Sequence, residues 1–239
     1  MRTVLLEAIP HSDAAWHCAL DEALVRDPDS AGIAYIWDLA RPALVLGASQ
    51  SVANEIDVEA AARRGVDIVR RCSGGGTMFL EPGKSIVITQ IAPLATVAGL
   101  SFRDSFAHLN AWLLDALLAL GVPAHFADVN DIATDSGKLA GAAQKRVRSL
   151  VLQHTALAYD IDAAAMNALI RIGQPAVQPR GVRSAAKQPD PLRNYTALSH
   201  RDTIDYLTRQ LPAPLTRMPL AHTVDTTKYR DPAWTFRLA

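Results

Sequence analysis

An α+β domain, built on a mixed or antiparallel sheet with flanking helices, is the fold class this sequence predicts, and three observations predict it. Apolar runs of strand length recur along the chain without a regular strand–helix–strand alternation. A few segments carry helical spacing, and most of these are announced by capping residues. Neither a GxxxxGK[ST] loop nor a GxGxxG turn opening a helix occurs, so the common nucleotide-binding fingerprints are excluded.

The composition sets the limits. With 239 residues, 49% of them apolar and 20% charged, the chain is a globular protein able to bury a large core as one domain or one domain with a small appendage. Lys plus Arg equals Asp plus Glu at 24 each, so bulk charge points neither to nucleic acid nor to an acidic membrane, and any anion site must be local. Cys18 and Cys72 offer neither a disulfide framework nor metal-ligand spacing. The opening MRTVLLEAIP reads as a first strand, its apolar run broken by Glu7 and Pro10, and lacks the core of a signal peptide. No run reaches the roughly 18 apolar residues that span a bilayer. A cytoplasmic protein is expected.

Element by element, Trp16, Ala19, Leu20, Ala23 and Leu24 follow helical spacing over residues 12–26, with Ser12 or Asp13 as cap and Pro28 closing the helix. Residues 33–37 and 43–46 read as strands joined by a turn at 38–42. Residues 57–64 read as a short alanine-rich helix ended by Gly65. Strands at 66–69 and 85–90 flank a glycine-rich loop. Ser101 and Asp104 have capping-box spacing before a long helix with Phe102, Phe106, Leu109, Leu113, Leu117 and Leu120 on one face; Gly121 ends it and Pro123 prevents a restart. Short β-like runs follow to residue 160, with a turn at 134–137 that delivers Lys138. A helix is expected over 162–171. Residues 172–194, rich in Pro, Gly, Gln and Arg, should form a long surface loop. Ser199 and Asp202 cap a last helix through Leu211, stopped by Pro212 and Pro214. The expected division is a catalytic domain over 1–215 and a tail over 216–239, with no clear period and no full accessory domain.

The loop between those two strands is the most informative stretch. Residues 70–76 read RRCSGGG, two arginines and a serine before three glycines. Glycines let a backbone reach left-handed conformations and let a ligand lie against bare amides, and arginine forks suit phosphate or carboxylate. Three glycines alone read equally well as a flexible turn. A second cluster holds Asn130, Asp131, Gly137, Lys138 and Gly141, followed by Gln144, Arg146, Gln153 and His154. Alone, Lys138 reads as a hairpin lysine in water and His154 as a hydrogen-bonded core histidine.

Together the two clusters resemble the lipoate-protein ligase A family, within the superfamily of biotin and lipoate ligases and octanoyltransferases. The family's Arg-Arg-x-Ser-Gly-Gly-Gly segment matches residues 70–76, its following Gly matches Gly83, its Asn-Asp matches Asn130 and Asp131, and the Lys-x-x-Gly part of its Gly-x-Lys-x-x-Gly region matches Lys138 to Gly141, with Gly137 directly before the lysine. Weaker echoes are Leu20 to Ala23, Trp37 with Pro42, Gly47 with Gln50, and Gln153 with His154. The resemblance covers roughly residues 5–200.

That resemblance implies a catalytic domain of the class II aminoacyl-tRNA synthetase and biotin-ligase type, with ATP and Mg²⁺ as cofactors. The implied reaction joins the carboxylate of lipoate or octanoate to the α-phosphate of ATP, then passes the acyl group to a lysine of a lipoyl carrier domain, such as an E2 subunit of a 2-oxoacid dehydrogenase or the H protein of glycine cleavage. Lys138 would be the catalytic residue, touching carboxylate and α-phosphate. Arg70, Arg71, Ser73, Gly74, Gly75, Gly76, Gly83, Asn130, Asp131, Gly141, His154 and Trp37 would bind substrate or adenylate. Trp37 with Val69 and Leu152 would line an apolar tunnel. No dedicated metal site is expected, and Asp131 is the candidate protein contact for Mg²⁺ brought in on ATP. The chain departs from the family at Lys84, Ala48, Thr155 and Ala156. Some family members work with a separate accessory ligase chain, and the loop with Arg180, Arg183, Lys187 and Arg193 would close over the site or meet an acidic carrier. Two alternatives stand beside the ligase. One is an ATP-independent acyltransferase using Cys72 or a substrate thioester; the other is a silent protein that binds lipoate or its adenylate.

Overall fold

The computed structural model describes residues 3–7, 11–212, 214–220 and 223–238. Parts of the expected first strand (residues 1–2 and 8–10) and of the tail (221–222 and 239) lie outside the described residues, as does residue 213.

Eight strands form one sheet. β1 (Thr3–Glu7) lies between β11 (Leu215–Pro219) and β2 (Ile33–Trp37), parallel to both. From β2 onward the sheet is antiparallel, running through β6 (Ser85–Pro93), β10 (Leu150–Ala158), β9 (Gly137–Val147), β8 (Asp131–Thr134) and β7 (His125–Ala127). A second sheet of three strands has β3 (Ala43–Leu46) at its centre, parallel to β4 (Asp67–Arg70) and antiparallel to β5 (Met78–Leu80). The 38–42 turn therefore carries the chain from one sheet to the other. The mixed α+β architecture is the one expected.

Strand alternation divides the core. Val87, Thr89 and Ile91 of β6 and Leu150, Leu152 and His154 of β10 share one face of the large sheet, while Ile86 and Ile88 with Val151 and Leu157 share the other. The first face packs on helix α1 (Ala14–Arg26), through Cys18, Leu20 and Leu24, and on Val45, Val69 and Leu80 of the small sheet. Helix α4 (Phe102–Ala119) covers part of the second face with Leu113 and Leu117, joined by Leu207 of helix α6 (His200–Gln210). Helices α2 (Val52–Glu55), α3 (Val58–Arg63) and α5 (Ala163–Asn167) back the small sheet. Asp13, Asp57, Ser101 and Ser199 each accept a backbone N–H from the first turn of α1, α3, α4 and α6. Such a cap stabilises a helix by about 1 kcal/mol.

Three elements differ from expectation. Phe102 is 66% exposed and lies under the Arg146 guanidinium instead of joining the core face of α4. α5 ends at Asn167, and the chain returns so that Ile170 bridges Ile56. Position 215/216 falls inside β11, and the residues beyond it fold back as α7 (Thr227–Arg230) and α8 (Pro232–Thr235). There Tyr229 packs in the main core, and the Trp234 indole donates to the Arg70 carbonyl (2.8 Å). No helix among the described residues is long and apolar enough to cross a membrane.

Candidate functional site

A cleft of about 600 Å³ opens between the glycine loop, the β8–β9 hairpin and residues 183–189. Arg71, Gly75, Gly76 and Thr77 form one wall, and Asn130, Asp131, Lys138 and Gly141 form another. Met78, Phe79, Leu80, Ile161, Met166 and Ile170 make an apolar side.

Arg71 shapes the loop. Its Nη2 donates to the carbonyls of Gly74 (2.5 Å) and Gly76 (2.8 Å), its Nη1 to the Val45 carbonyl (2.7 Å) and its Nε to Ser73 Oγ (2.9 Å). In a trans peptide the N–H opposes the preceding C=O, so drawing the Gly74 carbonyl inward turns the Gly75 amide outward. The N–H groups of Gly74, Gly75 and Gly76 have no acceptor among the described residues. Burial lowers the Arg71 pKa to about 10, which leaves the guanidinium charged at neutral pH. Gly75 sits at φ +83°, and a Cβ at Gly47 would lie 2.1 Å from the Gly75 carbonyl oxygen, so the loop crosses bare backbone there.

Lys138 owes its direction to a bulge. Ala133 pairs with Lys138 while Ile132 pairs with Ala140, leaving Leu139 as the extra residue. That extra residue shifts the alternation by one, so Lys138 shares a face with Gly141 and Asp131. Lys138 Nζ lies 2.7 Å from Asp131 Oδ1, a close ion pair without hydrogen-bond alignment. A Cβ at Gly141 would stand 2.6 Å from that Nζ. Asn130 Nδ2 donates to the Ala142 carbonyl (2.5 Å) and fixes the start of β8.

Residues 172–191 are irregular, as expected, a short 3-10 turn follows at Leu192–Asn194, and the segment is tied down. Ser184 accepts from the Thr77 amide (2.9 Å) and donates to Glu55, whose buried carboxylate also accepts the Ser184 N–H. Lys138 N donates to the Gln188 carbonyl (2.8 Å), and Asp190 N donates to the Lys138 carbonyl (2.9 Å). Lys187 pairs with Asp128 and stands 3.9 Å from Asp131. Arg183 and Lys187 thus add positive charge to the cleft.

Beneath the loop, Ser73 Oγ lies 2.7 Å from His154 Nε2, and His154 Nδ1 lies 2.8 Å from Asp21 Oδ2. Asp21 Oδ1 accepts from the Tyr35 hydroxyl (2.5 Å) and the Thr89 hydroxyl (3.0 Å). Burial, then Asp21, raises the Tyr35 pKa and keeps that hydroxyl a donor.

The cleft therefore gathers Arg71, Gly75, Gly76, Asn130, Asp131, Lys138 and Gly141, with Gly74 adjoining. Ser73 and His154 lie below it. The structure places three expected binding residues elsewhere. Arg70 is fully buried, its Nε donating to the Thr235 carbonyl (2.9 Å) and its Nη1 to those of Gly47 (2.9 Å) and Gln50 (2.7 Å). Its fork is occupied by backbone, with only Nη2 unpartnered among the described residues. Gly83 takes φ +69° in the exposed β5–β6 turn, its N–H donating to Asp38 (3.0 Å). Trp37 is core: it stacks on His17 and donates to Thr89 Oγ1 (3.1 Å). Val69 and Leu152 share that packed core, and none of these three residues lines the cleft. Lys84 also points away from the cleft, to Glu81 (3.1 Å). Sequence reasoning missed Thr77, Asp128, Glu55 and Ser184; for Ser184, a serine in a polar loop, no local signal exists.

The lipoyl protein ligase A/B catalytic domain, as a family model, matches residues 13–212. The chain belongs to that family. Among curated relatives it is 23% identical to lipoate–protein ligase 1 of Staphylococcus aureus over 177 residues, 74% of this chain and 52% of that protein. It is 28% identical to octanoyltransferase LipM of Kyrpidia tusciae, over 81% of this chain and 80% of that one. The chain thus spans about half the length of the lipoate ligases it matches. Among solved structures, a bi-partite lipoate protein ligase from Thermoplasma acidophilum, studied with its E2 lipoyl domain, superposes with TM-score 0.77 at 17% identity, over 100% of this chain and 97% of that one. That likeness is one of fold.

Proposed function

We propose that this domain activates lipoate or octanoate with ATP and transfers the acyl group to a lysine of a lipoyl carrier domain. One observation carries the reading: Gly75 and Gly76, whose amides have no acceptor among the described residues, line the same cleft as the Lys138–Asp131 pair, and that cleft is apolar on its third side. In the first step a carboxylate oxygen attacks the α-phosphorus, the bond to the β-phosphate oxygen breaks, and pyrophosphate leaves. In the second, the carrier amine attacks the acyl carbon, AMP departs with the bridging oxygen, and the amine proton is released. Both substrates are anions, so the protein's task is positioning and charge stabilisation. The loop amides would hold the α-phosphate. Lys138 would exchange Asp131 for the carboxylate and phosphate oxygens, with Lys187 and Arg183 beside the departing pyrophosphate. The apolar side would cover the acyl chain and adenine ring, and the cleft volume falls within the range of small-molecule sites.

A magnesium ion would come in on the triphosphate and neutralise its charge. Among the described residues no three His, Cys, Asp or Glu side chains stand together as a metal site, and Asp128 and Asp131 are the carboxylates that line the cleft and would meet it. The thioester route is less well supported. Burial pushes the Cys72 thiol up to about 12 and Cys18 well above its ordinary value, which disfavours the thiolate such a route needs.

The test mixes the chain with ATP, Mg²⁺, lipoate or octanoate and an apo lipoyl domain, and follows pyrophosphate and carrier mass. An acyl-sized gain that requires ATP supports the ligase. Pyrophosphate without carrier modification points to a separate accessory chain or another carrier, in keeping with the two-part Thermoplasma relative. An ATP-independent gain from an acyl-carrier thioester replaces the ligase with the transferase. Binding of acyl-AMP without turnover leaves the silent binder.

A further inference from the structure

The groups under the glycine loop form a one-way chain of donors. Arg71 Nε donates to Ser73 Oγ, the Ser73 hydroxyl donates to His154 Nε2, and His154 Nδ1–H donates to Asp21, with protons assigned by the partners present. Asp21 lies on α1, His154 on β10 and Ser73 in the loop, so the chain ties three separate parts of the fold together. Distances and order match a nucleophilic Ser–His–carboxylate triad. Burial decides against that role: Ser73 is 0% exposed, His154 2% and Asp21 2%, and none of them lines the cleft.

We propose that Asp21 is a positioning residue for the anion-binding loop, acting through His154 and Ser73 on Arg71, whose Nη2 holds the Gly74 carbonyl and so turns the Gly75 amide outward. The proposal rests on the function reading in one respect, that the loop amides hold a phosphate. Asp21 accepts three donors and so dictates the Nδ1–H tautomer of His154, which leaves Nε2 free to accept from Ser73. An asparagine that keeps its oxygen on Tyr35 and Thr89 presents its NH₂ to Nδ1. The proton then moves to Nε2, and Ser73 Oγ faces two donors, His154 and Arg71, with no acceptor for its own hydrogen.

Three purified proteins test this: Asp21→Asn, Ser73→Ala and the double variant. Ring ¹⁵N shifts of His154 should show Nδ1–H in the wild type and Nε2–H in Asp21→Asn. Calorimetric titration with ATP and Mg²⁺ should give a Kd raised about tenfold in each single variant, as expected for a disrupted hydrogen bond to a charged group. The double variant should bind no more weakly than Ser73→Ala, because both act on one chain. An ATP Kd within twofold of wild type in folded Asp21→Asn overturns the proposal, as do multiplying losses in the double variant. Labelling of Ser73 by a fluorophosphonate overturns it in favour of the nucleophile. If the wild type fails to bind ATP, the function reading falls by itself. The positioning claim is then decided by the imidazole spectrum, and an Nε2–H wild type refutes it.

Discussion

Replacing Gly141 by alanine separates the chemistry of the cleft from the stability of the fold. The added Cβ would stand 2.6 Å from Lys138 Nζ, 2.8 Å from its Cε and 3.4 Å from Asp131 Oδ1. Ordinary van der Waals contact begins at 3.4 Å, so the ammonium must retreat by close to an ångström. The displaced atoms are the far end of a flexible side chain, and Gly141 does not take a positive φ. Folding should therefore change by no more than about 1 kcal/mol. The reaction should suffer more, since a misplacement of about 1 Å can lower a rate by about a hundredfold. That factor corresponds to about 2.7 kcal/mol of lost transition-state stabilisation. The assay is ATP–pyrophosphate exchange with lipoate and octanoate, beside a thermal melt. Exchange within threefold of wild type, with a normal melt, would refute the claim that Lys138 must stand over a bare Gly141. Gly65→Ala is the control: at φ +64° with nothing within 4 Å, it should lower stability by about 1 kcal/mol and leave exchange alone.

Other substitutions probe separate parts of the argument. Lys138→Ala should abolish acyl-adenylate formation without unfolding the chain, and unimpaired exchange removes Lys138 from the mechanism. Cys72→Ala should keep at least half of wild-type activity; its loss would bring back the thioester route. Gly47→Ala should both destabilise the fold and weaken ATP binding, because the clash is with the Gly75 backbone, and a normal melt would show that the loop can move aside. His17 is fully buried, both ring nitrogens lack partners among the described residues, and burial lowers its pKa to about 4. The unfolded chain takes up this proton near pH 6.5 and the folded one does not, so stability falls as pH drops from 6.5 towards 4. The loss between pH 7 and pH 5 should be about 2 kcal/mol. Urea midpoints of His17→Phe, which keeps the stack on Trp37, should lack that component.

Much of this was legible because its causes are local. Asp13, Ser101 and Ser199 announce their helices through their own first turns, and the 134–137 turn delivers Lys138 as read. Residue types alone marked the loop at 70–76 as a stretch to examine, and its Arg71, Gly75 and Gly76 line the cleft. What stayed hidden depends on partners distant in sequence. Arg70 and Arg71 are the same residue side by side, yet the second faces the cleft wall while the first is held by backbone carbonyls, among them that of Thr235. The direction of Lys138 turns on one unpaired residue, Leu139, which no propensity marks. Trp37 looked like a binding aromatic because the partner that buries it, His17, lies on another element. β11 escaped notice because its residues are half-buried or exposed and gain their order from pairing with β1.

That last pairing has a consequence for how the domain comes into being. β1 has one of its two neighbours, β11, far later in the chain, Thr3 pairing with Leu215. On a ribosome, β1 would wait beside β2 with its outer edge bare until residues 215–219 emerge, a template for wrong partners in the meantime. Arg70 waits too, since the carbonyl of Thr235 that holds it is made later still. Late stitches of this domain are thus placed at β1 and beside the glycine loop. Pulse-labelled exchange during refolding would record this as protection of the Thr3 and Leu5 amides, which face β11, that arrives later than that of β6 and β10; simultaneous protection would remove the delay.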